Sequence, residues 1–155
     1  MQRVTHSLEE TYEAEPDSVR RARTRVATYA ASAGASPEQT DSVRLAVSEA
    51  VTNAVQHGYR GSPGQVQITA GVAERQLSIV VRDAGGGMQL VSDRPGLGLG
   101  LGLIAQISDQ MTIVPCPGGG TELRMCFDLD CHVPTCGGDG HASTGPFAVA
   151  CPSRN

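Results

Sequence analysis

The sequence predicts an α+β fold, and three observations carry that expectation. Two stretches read as helices that begin on a proline, at Pro16 and Pro37. Residues 65–72 and 76–82 alternate apolar and polar side chains at strand spacing, joined by a link short enough for an antiparallel hairpin. Ten of the 19 glycines fall between Gly85 and Gly120, which concentrates the demand for tight backbone in one region.

In chain order, Val4, Leu8 and Tyr12 stand among polar residues and predict a first strand over 4–13. Pro16-Asp17-Ser18 opens a helix to about Ala33, ended by Gly34. Ser36-Pro37-Glu38-Gln39 is a strong helix start, with Ser as N-cap, Pro at the first helical position and Gln completing a capping box. From there Val43, Val47, Ala50, Val51, Ala54 and Val55 form an apolar stripe of helical period, and Gly58 suits the C-cap. The hairpin of 65–72 and 76–82 turns through Ala73-Glu74-Arg75 and ends at Asp83. Residues 88–96 form a polar loop, Leu99 to Gln110 returns to a helical pattern, and Met111–Pro115 and Thr121–Leu129 are the last two strands. The organisation expected is one domain over 1–129 and a disordered Gly/Pro/Cys-containing tail over 130–155, where neither periodicity survives.

Composition narrows the function classes. A chain of 155 residues with 39% hydrophobic content suits one ordinary core. The net charge of −4 gives no reason to expect nucleic acid or membrane attraction. No apolar run approaches the roughly 20 residues of a membrane helix. All twelve basic residues are Arg, so the lysine-dependent phosphate loop and the protein-kinase fold with its strand lysine are both excluded. The five cysteines include no CxxC pair, and two readings stand: a ligand cluster around Cys126, Cys131, His132 and Cys136, or scattered free thiols. The odd count, without a signal peptide, sets the expectation of a cytoplasmic protein.

Three constellations carry chemistry. Glu49 and Asn53 lie four apart on one helix face, with His57 a further four on. A carboxylate can take a proton from a nucleophile, and an amide oxygen is a hard ligand suited to Mg²⁺. Asp83, at a strand end before Gly85 and Gly87, can accept a hydrogen bond from an exocyclic amine while the glycines let the backbone pass close to a flat ring; the same residues also make an ordinary Asp-Gly turn. Gly96-Leu-Gly98-Leu-Gly100-Leu-Gly102 runs into a helix, where exposed N–H groups and the helix dipole bind phosphate without a lysine. Each glycine costs a helix about 0.8–1.0 kcal/mol, so four of them need a reason beyond structure.

Together these motifs resemble the Bergerat (GHKL) ATP-binding fold of histidine-kinase catalytic domains, gyrase B, Hsp90 and MutL. Within it, the chain is most similar to anti-sigma factor serine/threonine kinases of the RsbW/SpoIIAB type. Val-Ser-Glu49-Ala-Val-Thr-Asn53-Ala-Val-Gln-His57-Gly-Tyr resembles their N box, Asp83-Ala-Gly85-Gly-Gly87-Met the first glycine box, the Gly-Leu run the second, and Gly119-Gly120-Thr121-Glu-Leu-Arg the final strand. The resemblance covers residues 4–129. It implies a two-layer sandwich whose mixed, mostly antiparallel sheet is covered on one face by helices. It also implies ATP and Mg²⁺ as cofactors, Asn53 as the metal ligand and Glu49 as the general base. Asp83 would read the adenine amine with Thr121 in support, and Gly85 and Gly87 would shape the nucleotide floor. Residues 88–98 would be a lid, unusually short for the family, with Arg94 on the phosphates. In the second glycine box, Gly98 and Gly100 fit best, with Gly96/Gly98 and Gly100/Gly102 as other registers.

The implied activity is phosphorylation of a STAS-type anti-anti-sigma protein, with sequestration of a sigma factor and a possible homodimer. Arg20, Arg21, Arg23 and Arg25 form a basic helix face, either simply solvated or a contact for an acidic partner. The alternative function is an ATP-binding regulatory module that holds a partner without phosphotransfer.

Overall fold

The structure is a computed structural model that describes residues 7–59, 62–85 and 99–130. Strand β1 (Leu8–Glu13) leads into helices α1 (Pro16–Ser32) and α2 (Pro37–Asn53), followed by a π-helical turn over Ala54–Gly58. Strands β2 (Gln65–Ala73) and β3 (Gln76–Asp83) precede α3 (Leu99–Ile107), and β4 (Gln110–Pro115) and β5 (Thr121–Asp128) close the domain. The predicted α+β sandwich is present. Among the described residues five strands run in the order β1-β2-β3-β5-β4, and every pair is antiparallel, more uniform than the mixed sheet expected.

Local chemistry places the ends of these elements. The Ser36 hydroxyl accepts from the Gln39 amide at 3.1 Å while the Gln39 side chain accepts from the Ser36 amide at 3.1 Å, so the predicted capping box starts α2. Helix α1 ends at Gly34, whose φ of +104° only glycine adopts without strain. The β2–β3 turn consists of Glu74 and Arg75, with φ of +48° and +67°; both lie in the left-handed region that a two-residue hairpin of matching twist requires. The Arg75 carbonyl accepts from the Leu129 amide at 2.8 Å, which ties this turn to the end of β5.

One face of the sheet carries the core. Leu8, Tyr12, Val66, Ile68, Leu77, Ile79, Val81, Leu123, Met125 and Phe127 point into it and meet Val26 of α1, Val43, Val47 and Val51 of α2, and Ile104 of α3. The residues between them on the strands line the outer face. There, Glu122 bonds Arg82 on β3 and Arg124 on its own strand. Burial works to raise the Glu122 carboxyl, but the two guanidinium groups prevail and hold it below its ordinary range.

Cys126, also on that outer face and opposite Ser78, is disulfide-bonded, which departs from the expectation of free thiols; Cys116 is free. Among the described residues no cluster of His, Cys, Asp and Glu could hold a metal ion. Cys131, His132, Cys136, Cys151 and the rest of the expected tail lie outside them.

Candidate active site

The sheet order creates the site. Because β5 inserts between β3 and β4, the last residue of β3 faces the first of β5, and Asp83 pairs with Thr121. Both are buried, Asp83 at 5% exposure and Thr121 at 4%. The Asp83 carboxylate accepts the Gly85 amide at 3.0 Å and a further backbone hydrogen bond from Thr121. Burial pushes its pKa above the ordinary aspartate range, and these two bonds pull it part of the way back. A buried strand-end carboxylate held by backbone donors is a rigid acceptor. Its free lone pairs can read one amine on a ligand.

Gly119 and Gly120 make this proximity possible. Their φ values are +107° and +94°, and a Cβ on Gly120 would overlap the Asp83 carbonyl oxygen. A Cβ on Gly119 would meet the Gly85 carbonyl at 3.3 Å. Two glycine motifs far apart in sequence are therefore one structural unit.

The second half of the site lies at the N-terminus of α3. A Cβ on Gly100 would stand 2.7 Å from Glu49 Oε2, 3.6 Å from Asn53 Nδ2 and 3.7 Å from Asn53 Oδ1. The i,i+4 pair of α2 thus ends within 4 Å of one point on the first turn of α3, where unpaired N–H groups and the helix dipole favour negative charge. Asn53 Nδ2 is buried and has no hydrogen-bond partner. Such orphans are rare, and one beside a carboxylate and a glycine helix start suits a residue whose partner is a ligand. The contact also places Gly100, among the registers left open for the second glycine box, against the N box.

A substitution follows from that contact. Glu49 is the far end of a flexible side chain, so Gly100→Ala will displace its carboxylate rather than unfold the protein. The melting temperature should stay within a few degrees of wild type while phosphotransfer falls by about tenfold or more, given the sensitivity of catalysis to a 1 Å misplacement. Thermal melts and initial rates on the same preparation check it.

Gly87, Arg94 and Gly98 lie outside the described residues, as does most of the expected lid. His57 sits in the π-helical turn, half-buried, and the α-helix stops at Asn53 rather than running to Gly58. That turn is what the sequence reading missed. It ends with the Tyr59 amide donating to the Ala54 carbonyl at 3.2 Å, a wider step than an α-helix takes. Tyr59 then reaches Ala84 and Gln65, and nothing in the periodicity marks it.

The family model described as a histidine kinase-like ATPase domain matches residues 12–127, so the fold is that of an ATP-using domain of that class. An anti-sigma F factor of Clostridium acetobutylicum is 36% identical over 115 residues, covering 67% of this chain and 80% of the relative. A serine-protein kinase RsbW of Bacillus licheniformis is 35% identical over 99 residues, covering 63% of this chain and 62% of the relative. A crystal structure of the RsbU and RsbW domains of a Mycobacterium tuberculosis protein superposes with a TM-score of 0.65 at 26% identity, over 81% of this chain and 33% of that one. The chain belongs to the anti-sigma factor serine-protein kinases of the RsbW type, within the histidine kinase-like ATPase family.

Proposed function

We propose that this protein is an anti-sigma factor that phosphorylates a STAS-type anti-anti-sigma protein on Ser or Thr, using ATP and Mg²⁺, and sequesters a sigma factor when that protein has been driven off. The observation that carries the reading is the meeting of Glu49, Asn53 and Gly100 at the start of α3. Bound Mg·ATP supplies the phosphoryl group and neutralises charge on it. Everything else falls to the chain. Asn53 offers an amide oxygen to the metal, a hard donor for a hard cation. The α3 amides hold phosphate oxygens, which accounts for a phosphate site without lysine. Asp83, fixed by Gly85 and Thr121, accepts the adenine amine. Glu49 would take the proton from the substrate hydroxyl as that oxygen bonds to the γ-phosphorus and the bond from this phosphorus to ADP breaks, so that ADP leaves.

A groove between β1 and α1 suits the protein partner. Glu10, Tyr12, Asp17, Arg20, Arg21, Thr24, Arg25 and Thr28 line it. Two of its arginines are engaged internally, Arg25 with Glu10 at 2.9 Å and Arg21 over the Tyr12 ring at 5.5 Å. Arg20 is exposed and makes no ion pair among the described residues, which leaves it for an acidic partner such as the sigma factor. A homodimer completes the reading; sedimentation with and without nucleotide measures it.

The deciding experiment incubates the protein with γ-labelled ATP, Mg²⁺ and a panel of STAS-domain proteins. Label on a Ser or Thr of one of them supports the kinase. ATP and partner binding without any transfer would instead make this a regulatory module.

Asp83 gives a separate check with a worked sign. An acid whose pKa is raised on folding adds stability below its ordinary range and loses that contribution as pH rises through the raised value. Near neutral pH, ionised Asp83 therefore opposes folding. Asp83→Asn should melt no lower than wild type at neutral pH, with the difference narrowing in mild acid. ATP affinity should still fall about 10–100-fold, the loss of a charge-assisted hydrogen bond. Calorimetric melts and nucleotide titration read the two effects independently.

A further inference from the structure

We infer that Tyr59 is the positioning residue for the base-reading turn, coupling the end of the Glu49–Asn53 helix to the Asp83–Gly85 segment. The Tyr59 hydroxyl accepts the Ala84 amide at 2.8 Å and donates to the Gln65 carbonyl at 2.5 Å. Ala84 stands between Asp83, the proposed adenine acceptor, and Gly85, whose amide fixes the Asp83 carboxylate. Among the described residues of this turn, the hydroxyl therefore holds the one amide that neither strand pairing nor Asp83 satisfies.

Two features aim the side chain there. The π-helical turn after Asn53 takes a wider step than an α-helix and carries residue 59 toward the ends of β2 and β3. The ring then lies over Gly64, where any Cβ would overlap its edge carbons. Gly64 in turn accepts the Ala14 amide through its carbonyl at 2.8 Å, so the floor of this slot is itself pinned. A side chain six residues beyond Asn53 thus sets the position of the adenine acceptor, and the metal-ligand helix and the base site move as one body.

This rests on the proposed adenine role of Asp83, and the test separates the two. In nucleotide-free protein, Tyr59→Phe keeps the ring and removes the hydroxyl. Exchange of the Ala84 and Gly85 amides should quicken at least tenfold, while the mid-strand amides of β3 keep their rates. ATP affinity should fall about fivefold to tenfold, matching the net worth of a hydrogen bond. The preference for ATP over GTP should narrow, and turnover at saturating ATP should stay within twofold. Gly64→Ala, which displaces the ring but keeps the hydroxyl, should reproduce the same pattern.

Unchanged Ala84 exchange in both variants overturns the positioning role, whatever the nucleotide results. Equal losses for ATP and GTP overturn it as well, since that marks general loosening rather than a misplaced base reader. If exchange quickens but wild-type protein shows no preference for ATP, the adenine assignment of Asp83 is the part that fails.

Discussion

Glu49→Gln will lower phosphotransfer by about 10²–10⁴-fold, the usual weight of a positioned general base, while ATP binds within a factor of about three of wild type. The substitution keeps length, shape and helix propensity, so α2 and its capping box are undisturbed. It removes the capacity to take a proton, together with the negative charge. Glu49 sits half-buried at the first turn of α3, next to Asn53 but separate from the Asp83 pocket that would read the base. Binding and chemistry should therefore divide between the two halves of the site. Steady-state rates with a phosphorylatable STAS protein, alongside equilibrium titration with ATP, measure both. Transfer retained within threefold would remove Glu49 from the proton's path. Lost ATP binding would place it among the nucleotide ligands instead.

Gly120→Ala will cost about 3 kcal/mol of stability or more, which lowers the melting temperature by about 10 °C in a domain of this size. Two penalties add. The φ of +94° disfavours any side chain, and the new Cβ would overlap the Asp83 carbonyl and crowd the Cα of Ala84, both backbone atoms with no easy way to move. Gly118→Ala is the control, since its φ is +87° yet a Cβ there meets nothing within 4 Å. Conformational strain alone should cost it only about 1–2 kcal/mol. Chemical denaturation of both variants isolates the steric part. Equal losses would mean that the β5–β3 approach relaxes freely, and that Asp83 is not rigidly held.

The sequence was most legible where local chemistry decides structure. Ser36 and Gln39 form their capping box as the spacing implies, and Gly34 ends α1 with the positive φ that only its identity suggested. The β2–β3 hairpin was legible from alternation, although Glu74 and Arg75 carry no turn signature; the strand pairing imposes left-handed φ on both. Less legible was the end of α2. Gly58 reads as a C-cap, yet the α-helix gives way four residues earlier to a π-helical turn, because Tyr59 is drawn to acceptor and donor groups on β2 and beyond β3. Cys126 read either as a member of a ligand cluster or as a free thiol, and it is disulfide-bonded instead, a state that spacing does not reveal.

By itself, the sequence determined the class of fold, the helix that carries Glu49 and Asn53 on one face, and the glycine-rich character of the site. Those follow from period and capping, which act over a few residues. The tertiary structure decided which glycine meets which distant residue. Inserting β5 between β3 and β4 sets Gly120 against Asp83, and packing α3 on α2 sets Gly100 against Glu49. The repeat from Gly96 to Gly102 offers several equivalent registers to a sequence reading. Among the described residues, a Cβ on Gly100 would crowd the Glu49 carboxylate while one on Gly102 would meet nothing within 4 Å, and exclusion between atoms distant in the chain leaves no local trace.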